Sequence, residues 1–257
     1  MNIIQRANDN LKALYGAKHV DITESDVEAV YSRNVLGVQA DAKTKKGLGR
    51  GYLTGIMYLA PAKLSGIEVC PKRSAGCTAA CLFSAGRGRF YQVTRQRVIK
   101  TLAWHLDKPR FIATIKESIR KVVVKARNAG LTPVIRLNGT SDILWHRITD
   151  IMQSYPDVQF YDYTKIAASF DAPIPANYHL TFSGSERNGV DSAKVLQANG
   201  NVAVVFAGDL PAEYLGYKVI NGDNTDLRFL DKRGCVVGLK AKGKAKQDTT
   251  GFVVKVA

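Results

Sequence analysis

From residue 130 onward, short apolar segments alternate with segments of helical pattern. Short runs of β-branched and aromatic residues are typical of buried strands, and helices between such strands are typical of a parallel sheet. The expected strands are residues 52–60, 133–138, 158–164, 178–183, 202–207, 217–221, 236–240 and 252–256. The predicted fold class is therefore α/β, as a partial (β/α) barrel of about six mainly parallel strands.

The chain of 257 residues has the length of one large α/β domain. No linker, repeat or low-complexity segment divides it. We therefore expect a single domain over residues 1–257, with an N-terminal helical extension over 1–50 and a barrel-like core over 51–257.

Helices are expected at residues 91–106, from the cap Asp107 to just before Gly130, and at 143–155. In the first of them, apolar residues repeat at helical spacing along one stripe. Arg95, Arg97 and Lys100 lie off that stripe, on the face expected to be polar.

Hydrophobic residues make up 46% of the chain and charged residues 23%. These values are ordinary for globular proteins, and they exclude disordered, collagen-like and coiled-coil chains. No apolar run approaches the roughly 18 residues of a membrane span. The N-terminal residues lack the apolar core of a secretion signal. We therefore expect a soluble, cytoplasmic protein.

The net charge of +15 is unusual, and it is unevenly placed. Residues 44–127 hold 18 Lys/Arg and 3 Asp/Glu, whereas residues 128–231 hold 7 Lys/Arg and 12 Asp/Glu. Residues 232–257 form a second basic segment with 7 Lys/Arg and 1 Asp/Glu. Such segregation favours an anionic partner such as nucleic acid or a nucleotide, bound through the 44–127 block. A solvated basic face is the alternative.

Three of the four cysteines, Cys70, Cys77 and Cys81, fall in one loop with the spacing C-x6-C-x3-C. Clustered thiols in a cytosolic protein usually bind metal. Pro71 and Gly76 interrupt regular structure and allow the loop to curl around a ligand. We expect Cys77 and Cys81 on one face of a helix that starts near Ser74.

The spacing favours a [4Fe–4S] cluster over structural zinc, which normally has four ligands in short pairs. Zinc and a site without metal remain alternatives. Cys235 opens a predicted strand and so belongs at the opposite rim of the sheet, where we expect a small buried side chain rather than a ligand.

Polar residues follow several predicted strands where each strand ends. Chemistry in barrel and doubly wound folds gathers at these carboxyl ends. The expected ligand-binding residues are Asn138, Gly139, Asp142, Lys165, Ser183 and Glu186. Ordinary turn chemistry also explains Asn, Gly, Asp and Ser at such positions.

The segments Tyr58–Ala62, Cys70–Leu82 and Gly86–Gly88 resemble a bacteriophage family known as gene product 88. If the chain is encoded by a phage, the expected location is the host's cytoplasm. More distantly, the layout is similar to the radical S-adenosylmethionine superfamily, whose cysteines are spaced C-x3-C-x2-C. That resemblance implies a cluster on the three cysteines and possible S-adenosylmethionine binding. It also implies contact of Gly139 and Asp142 with the methionyl amine, and of Ser183 and Glu186 with ribose.

Two hypotheses follow. The first is an iron–sulfur enzyme, similar to radical S-adenosylmethionine proteins, that acts on an anionic substrate. The second is a nucleic-acid-binding protein whose [4Fe–4S] cluster is structural. A zinc-stapled interaction protein is a third possibility.

Overall fold

The computed structural model describes residues 2–39 and 42–256. Within them the helices are α1 Ile3–Tyr15, α2 Glu24–Glu28, α3 Ala42–Lys46, α4 Ala75–Ala79, α5 Tyr91–Leu106, α6 Lys108–Asn128, α7 Trp145–Ile148, α8 Ile151–Ser154 and α9 Gly189–Gln197. The strands are β1 Leu36–Val38, β2 Tyr52–Met57, β3 Thr132–Arg136, β4 Gln159–Thr164, β5 Tyr178–Ser183, β6 Val202–Phe206, β7 Glu213–Tyr214, β8 Tyr217–Asn221, β9 Val236–Lys240 and β10 Val253–Val254.

The ten described strands form one sheet in the order β1-β2-β3-β4-β5-β6-β9-β8-β7, with β10 paired to β6 off this path. Strands β2 to β6 lie side by side in chain order, and each pair is parallel. β1 and β7 pair antiparallel with their neighbours at the two edges. Because parallel neighbours point the same way, the loops after β2 to β6 meet at one rim.

Helices α5 and α6 cover one face of the sheet. Asp107 caps α6 through its side chain, which accepts a hydrogen bond from the Arg110 amide at 3.0 Å, and Pro109 occupies the first turn. The apolar stripe of α6, from Phe111 to Ala126, is buried in the main core together with residues of β2 and β3. This packing fixes the sheet against the helices.

The opposite face of the sheet is covered by the chain segment between β8 and β9. Leu227 packs there with Val134 and Tyr161. Asp226 pairs with Arg136 at 3.0 Å and accepts a hydrogen bond from the Tyr161 hydroxyl at 2.9 Å. A buried ion pair that also receives a hydrogen bond is well compensated for its loss of solvation.

The α/β class and the mainly parallel sheet are confirmed. The described sheet has ten strands rather than about six and does not close, so the barrel is not confirmed. The N-terminal extension is not wholly helical, because β1 adds an edge strand to β2. The basic segment 47–51 contains a 3-10 turn at Leu48–Arg50.

The helix expected over 143–155 is two short helices, α7 and α8. Thr149 separates them in extended conformation, and its hydroxyl accepts a hydrogen bond from the Ile151 amide at 3.2 Å. Such local side-chain bonds compete with helix continuation.

Among the described residues, none of the helices combines the length and the apolar character of a membrane span.

Candidate metal centre

Cys70 joins the loop after β2 to the loop after β3. Its Sγ accepts a hydrogen bond from the Ala62 amide at 3.5 Å and donates to the Thr140 carbonyl oxygen at 3.7 Å. The amide contact favours the thiolate, because an N–H donor stabilises negative charge on sulfur. Cys70 therefore lies at the rim where the ends of β2 and β3 meet.

Cys77 lies in α4, which begins after the N-cap Ser74. The Cys77 amide donates to the Ser74 hydroxyl at 3.0 Å. Cys81 lies outside this helix, after its C-cap Ala80, in an extended conformation. The prediction of a shared helix face is therefore wrong. The Cys81 carbonyl instead accepts from the amide and hydroxyl of Ser84, which draws the chain into a 3-10 turn.

The three cysteines form no disulfide and lie within electrostatic range of one another. Negative charge on Cys77 or Cys81 would raise the pKa of Cys70, and charge on Cys77 would raise that of Cys81. Burial is the larger cause, and it raises the pKa of Cys70 to about 12. It also raises the pKa of Cys77 and of Cys81. Without metal, three neutral thiols therefore share one small region.

Glu186, a predicted ligand-binding residue, contacts the cysteine loop. Its Oε2 accepts a hydrogen bond from the Ser74 hydroxyl at 2.7 Å, and its Oε1 accepts one from the Gly76 amide at 2.8 Å. A carboxylate at the start of a helix is favoured by the amides that lack partners there. Both Glu186 oxygens thus hold the helix that carries Cys77.

Asp142, Lys165 and Ser183 meet at the same rim. Asp142 Oδ2 accepts a hydrogen bond from the Lys165 amide at 2.8 Å, and Lys165 Nζ donates to the Ser183 hydroxyl at 2.6 Å. Asp142 is 8% exposed, yet its Oδ1 has no hydrogen-bond partner in the described part of the chain. Burial raises the pKa of Asp142, while hydrogen bonds from the Lys165 amide and the Thr164 hydroxyl oppose this shift. One carboxylate oxygen is therefore available to a donor.

Asn138 organises the loop after β3. Its amide nitrogen donates to the Ile143 carbonyl at 2.9 Å. Its Oδ1 accepts hydrogen bonds from Ser141, Ile143 and Trp145. Asn138 is thus at the predicted rim, but its described contacts hold the loop that presents Asp142.

Gly139 is required by a close approach to the end of β2. Its amide donates to the Met57 carbonyl at 2.9 Å. A Cβ at this position would lie 2.5 Å from that oxygen and 2.6 Å from a ring carbon of Tyr58. Gly139 therefore lets the loop after β3 reach the cysteine loop.

Residues 248–254 complete this rim of the sheet. The sequence did not predict their position there. β5 pairs with β6 only as far as Ala203, and β10 pairs with β6 at Val205 and Phe206. A Cβ on Gly76 would lie 2.2 Å from Thr250 Oγ1 and 2.6 Å from Phe252 Cβ. The strand itself was predicted, but its partner was not.

Arg97 of α5 also lies near the cysteines, contrary to its predicted polar face. The residue is 8% exposed, and its guanidinium carbon is 4.9 Å from the centre of the Tyr58 ring. Burial lowers the pKa of Arg97, and negative charge on Cys81 would oppose that shift. The apolar periodicity of α5 did not predict the burial of Arg97, because the loop that covers this side chain comes from elsewhere in the chain.

The sequence model of the gene product 88 family matches residues 31–256. The chain belongs to the gene product 88 family. No curated protein and no solved structure matches the chain. The resemblance to the radical S-adenosylmethionine superfamily therefore gains no support from these comparisons.

In this gene product 88 protein, Cys235 lies at the rim opposite the three cysteines. It precedes β9, and its carbonyl accepts a hydrogen bond from the Val202 amide at the start of β6. A strand of five residues spans about 16 Å. Cys235 is therefore too distant to join Cys70, Cys77 and Cys81 on one cluster.

Among the residues that the structure describes, no three His, Cys, Asp or Glu side chains converge on a single metal ion. A structural zinc site needs four donors around one ion. Those residues therefore present no formed donor set for a metal ion, and this holds for iron as well as for zinc. The thiols of this gene product 88 protein share a region but not a mononuclear site.

Proposed function

We propose that this protein binds an iron–sulfur cluster through Cys70, Cys77 and Cys81, and binds a small ligand that carries an amine beside it. The observation that carries the proposal is the gathering of three free thiols at the carboxyl ends of parallel strands, within electrostatic range of one another. This is the rim where α/β proteins bind ligands and cofactors.

The chemistry of the donors fits a thiolate-bound cluster. Backbone amides of Ala62 and Phe83 donate to the sulfurs of Cys70 and Cys81 and lower their pKa. Hydrogen bonds to sulfur are one of the means by which proteins tune such clusters. The amides oppose the burial that keeps the thiols neutral, and a metal would displace the remaining protons.

Nearby cations also support bound thiolates. Lys165 and Arg73 lower the pKa of Cys77, and Arg97 and Lys165 lower that of Cys81. A cluster with three thiolates carries concentrated negative charge, and these side chains would offset it. When bound, such a cluster supplies electron transfer and an iron that is open to a ligand.

Asp142 is the residue best placed to hold the ligand. Its Oδ1 is unpartnered in the described residues, and its charge is felt by Cys70 and Cys77. An amine donor would satisfy this oxygen, because an unpaired buried acceptor costs about 1–3 kcal/mol. S-adenosylmethionine carries such an amine, so the radical S-adenosylmethionine-like enzyme stays part of this proposal.

The test is anaerobic purification and reconstitution, followed by counting of iron and sulfide. We expect about four irons per wild-type chain, and strong loss in single Cys→Ser variants at positions 70, 77 and 81. Cys235→Ser is the matched control and should keep its iron. A protein without iron and sulfide after reconstitution, or equal loss in the control, would overturn the cluster.

The cluster of the reconstituted protein is then reduced with dithionite, because only the reduced [4Fe–4S] cluster gives an electron paramagnetic resonance signal, and S-adenosylmethionine is titrated in while that signal is followed. A changed cluster signal in the wild type, weakened in Asp142→Asn at equal iron content, would support ligand binding at the open iron. An unchanged wild-type signal would overturn the S-adenosylmethionine part and leave the cluster standing.

A second candidate function is nucleic-acid binding around a structural cluster. The observation in its favour is a basic rim formed by exposed Arg87, Arg89, Lys244 and Lys246. These residues come from two separate basic segments, which meet where Gly243 lies against Ala85. The fold thus unites charges that the sequence separates.

Salt dependence tests this second function. Phosphate contacts release counterions, so the affinity for a single-stranded oligonucleotide should fall steeply with salt. The double variant Arg87→Gln/Lys244→Gln should reduce the log–log slope by about 2. Lys125→Gln/Arg127→Gln, on the exposed end of α6, is the matched control. Equal slopes in both double variants would exclude the basic rim.

A further inference from the structure

Arg97 and Lys100 place two positive charges on one face of α5, one turn apart. Positions i and i+3 of a helix are neighbours; burial lowers the pKa of Lys100, and the charge of Arg97 lowers it further. Arg97 is 8% exposed, and Lys100 is partly buried. The two cations therefore lie side by side on α5.

Neither cation has a carboxylate partner among the described residues. Within residues 2–39 and 42–256, neither Arg97 nor Lys100 makes an ion pair, and Nε and Nη1 of Arg97 have no hydrogen-bond partner. The Tyr58 ring lies under the guanidinium, at 4.9 Å from its carbon. A ring face satisfies neither N–H group in the guanidinium plane.

Other arginines of this protein show what a compensated charge looks like. Arg136 pairs with Asp226 at 3.0 Å, and Arg228 pairs with Asp231 at 3.2 Å. Arg95, one turn from Arg97 on α5, pairs with Asp26 at 2.8 Å. Burying an unpaired charge is costly. Arg97 and Lys100 therefore differ from these pairs in requiring an anion from outside the described chain.

We propose that Arg97 and Lys100 form an anion subsite that binds a phosphate group, either free phosphate or the phosphate of a monoester. A guanidinium presents parallel N–H donors that match two phosphate oxygens, and an ammonium adds a point charge. Two positive charges balance the dianion. Because the Arg97 guanidinium lies over the ring of Tyr58, which directly follows β2, the subsite adjoins the rim, so a phosphorylated ligand bound there would reach it.

The subsite does not depend on the proposed cluster, so it is tested on the metal-free full chain. Inorganic phosphate and adenosine monophosphate are titrated separately by calorimetry at constant ionic strength. The wild type should bind at least one of them, and Arg97→Gln and Lys100→Gln should each weaken binding at least tenfold. Arg127→Gln, an exposed cation at the end of α6, should bind as the wild type does.

The two probes distinguish the sources of the phosphate. Tighter binding of the nucleotide assigns the subsite to a phosphate monoester, and equal binding assigns it to free phosphate. Arg97→Lys keeps the positive charge but loses the parallel N–H donors of the guanidinium. This variant should bind phosphate with an affinity between those of the wild type and Arg97→Gln. Urea unfolding of each variant checks that it is folded.

Two outcomes overturn the proposal. The first is binding of neither probe by the wild type, which would leave the cations as a counter-charge for the cysteines. The second is equal affinity in Arg97→Gln, Lys100→Gln and Arg127→Gln, which would place the phosphate elsewhere. Neither outcome affects the iron count, so failure here is distinguishable from failure of the cluster.

Discussion

Glu186 accepts a hydrogen bond from the Gly76 amide at 2.8 Å, and this contact joins the loop after β5 to the helix that carries Cys77. The second oxygen of the carboxylate accepts a hydrogen bond from the Ser74 hydroxyl at 2.7 Å. The cysteine loop is thus held by a residue more than one hundred positions away in sequence. These contacts position Cys77 in the fold without a bound metal.

Glu186→Gln should loosen this attachment. The substitution removes the charge and directs an amide N–H₂ group toward one of two hydrogen-bond donors. Loss of a charge-assisted hydrogen bond costs about 1–3 kcal/mol, and we expect the free energy of unfolding in urea to fall by that amount.

Glu213→Gln is the control, because Glu213 is an exposed residue of the edge strand β7. Its free energy of unfolding should stay within about 0.5 kcal/mol of the wild type. Equal stability of Glu186→Gln and the wild type would contradict the role assigned to the carboxylate.

Gly139→Ala tests the close approach of the loop after β3 to the end of β2. The added methyl group would lie 2.5 Å from the Met57 carbonyl oxygen, so the backbone must shift. Overpacking of this kind costs about 1–3 kcal/mol. Gly189→Ala is the matched control, since nothing lies within 4 Å of the added group at the start of α9. A urea midpoint that falls equally in both variants would refute the steric argument.

Much of the fold was predictable because the signals are local. The cap Asp107, Pro109 and the apolar periodicity of α5 and α6 define those helices, and their bounds match the structure. The alternation of strands and helices indicated the parallel sheet, and the opposite placement of Cys235 followed from strand direction.

The parts that could not be predicted depend on contacts between distant segments. Arg97 is off the apolar stripe of α5, and its burial comes from the covering cysteine loop. Phe252 reaches the rim only because β5 stops pairing with β6 early and leaves room for β10. Periodicity carries no information about either event.

His179 should make the protein less stable in mild acid. It lies on β5 opposite Tyr161, and burial, with Arg233 and Arg228 nearby, lowers its pKa from 6.5 to about 4. The folded state therefore favours neutral histidine. The stability from this group is present above pH 6.5 and is lost as the pH falls toward 4, by up to about 3 kcal/mol.

His179→Gln should flatten the dependence of the free energy of unfolding on pH between 6.5 and 4. Other groups also titrate in this window: burial lowers the pKa of His146, and it raises the pKa of Asp162 to about 7, which acts in the opposite direction. His105→Gln, at an exposed position on α5, should leave the slope as it is in the wild type. A wild-type slope in His179→Gln would show that other groups cause the acid sensitivity.

The thiols of the metal-free protein should react slowly with iodoacetamide at neutral pH. The thiolate is the nucleophile, and burial raises the pKa of Cys70 from 9.0 to about 12, with upward shifts for Cys77 and Cys81. Alkylation measured by mass spectrometry should therefore be far slower in the folded chain than in urea.

Stability should follow the same titration. A raised pKa means that the folded state holds the Cys70 proton more tightly than the unfolded chain does. The stability from this group is complete below pH 9 and is lost as the pH rises toward about 12. Cys70→Ser removes the titrating group, so its free energy of unfolding should decline less between pH 9 and 11 than that of the wild type. A Cys70 that reacts as quickly folded as unfolded would mean that its sulfur is open to solvent and does not share the buried region with the other two.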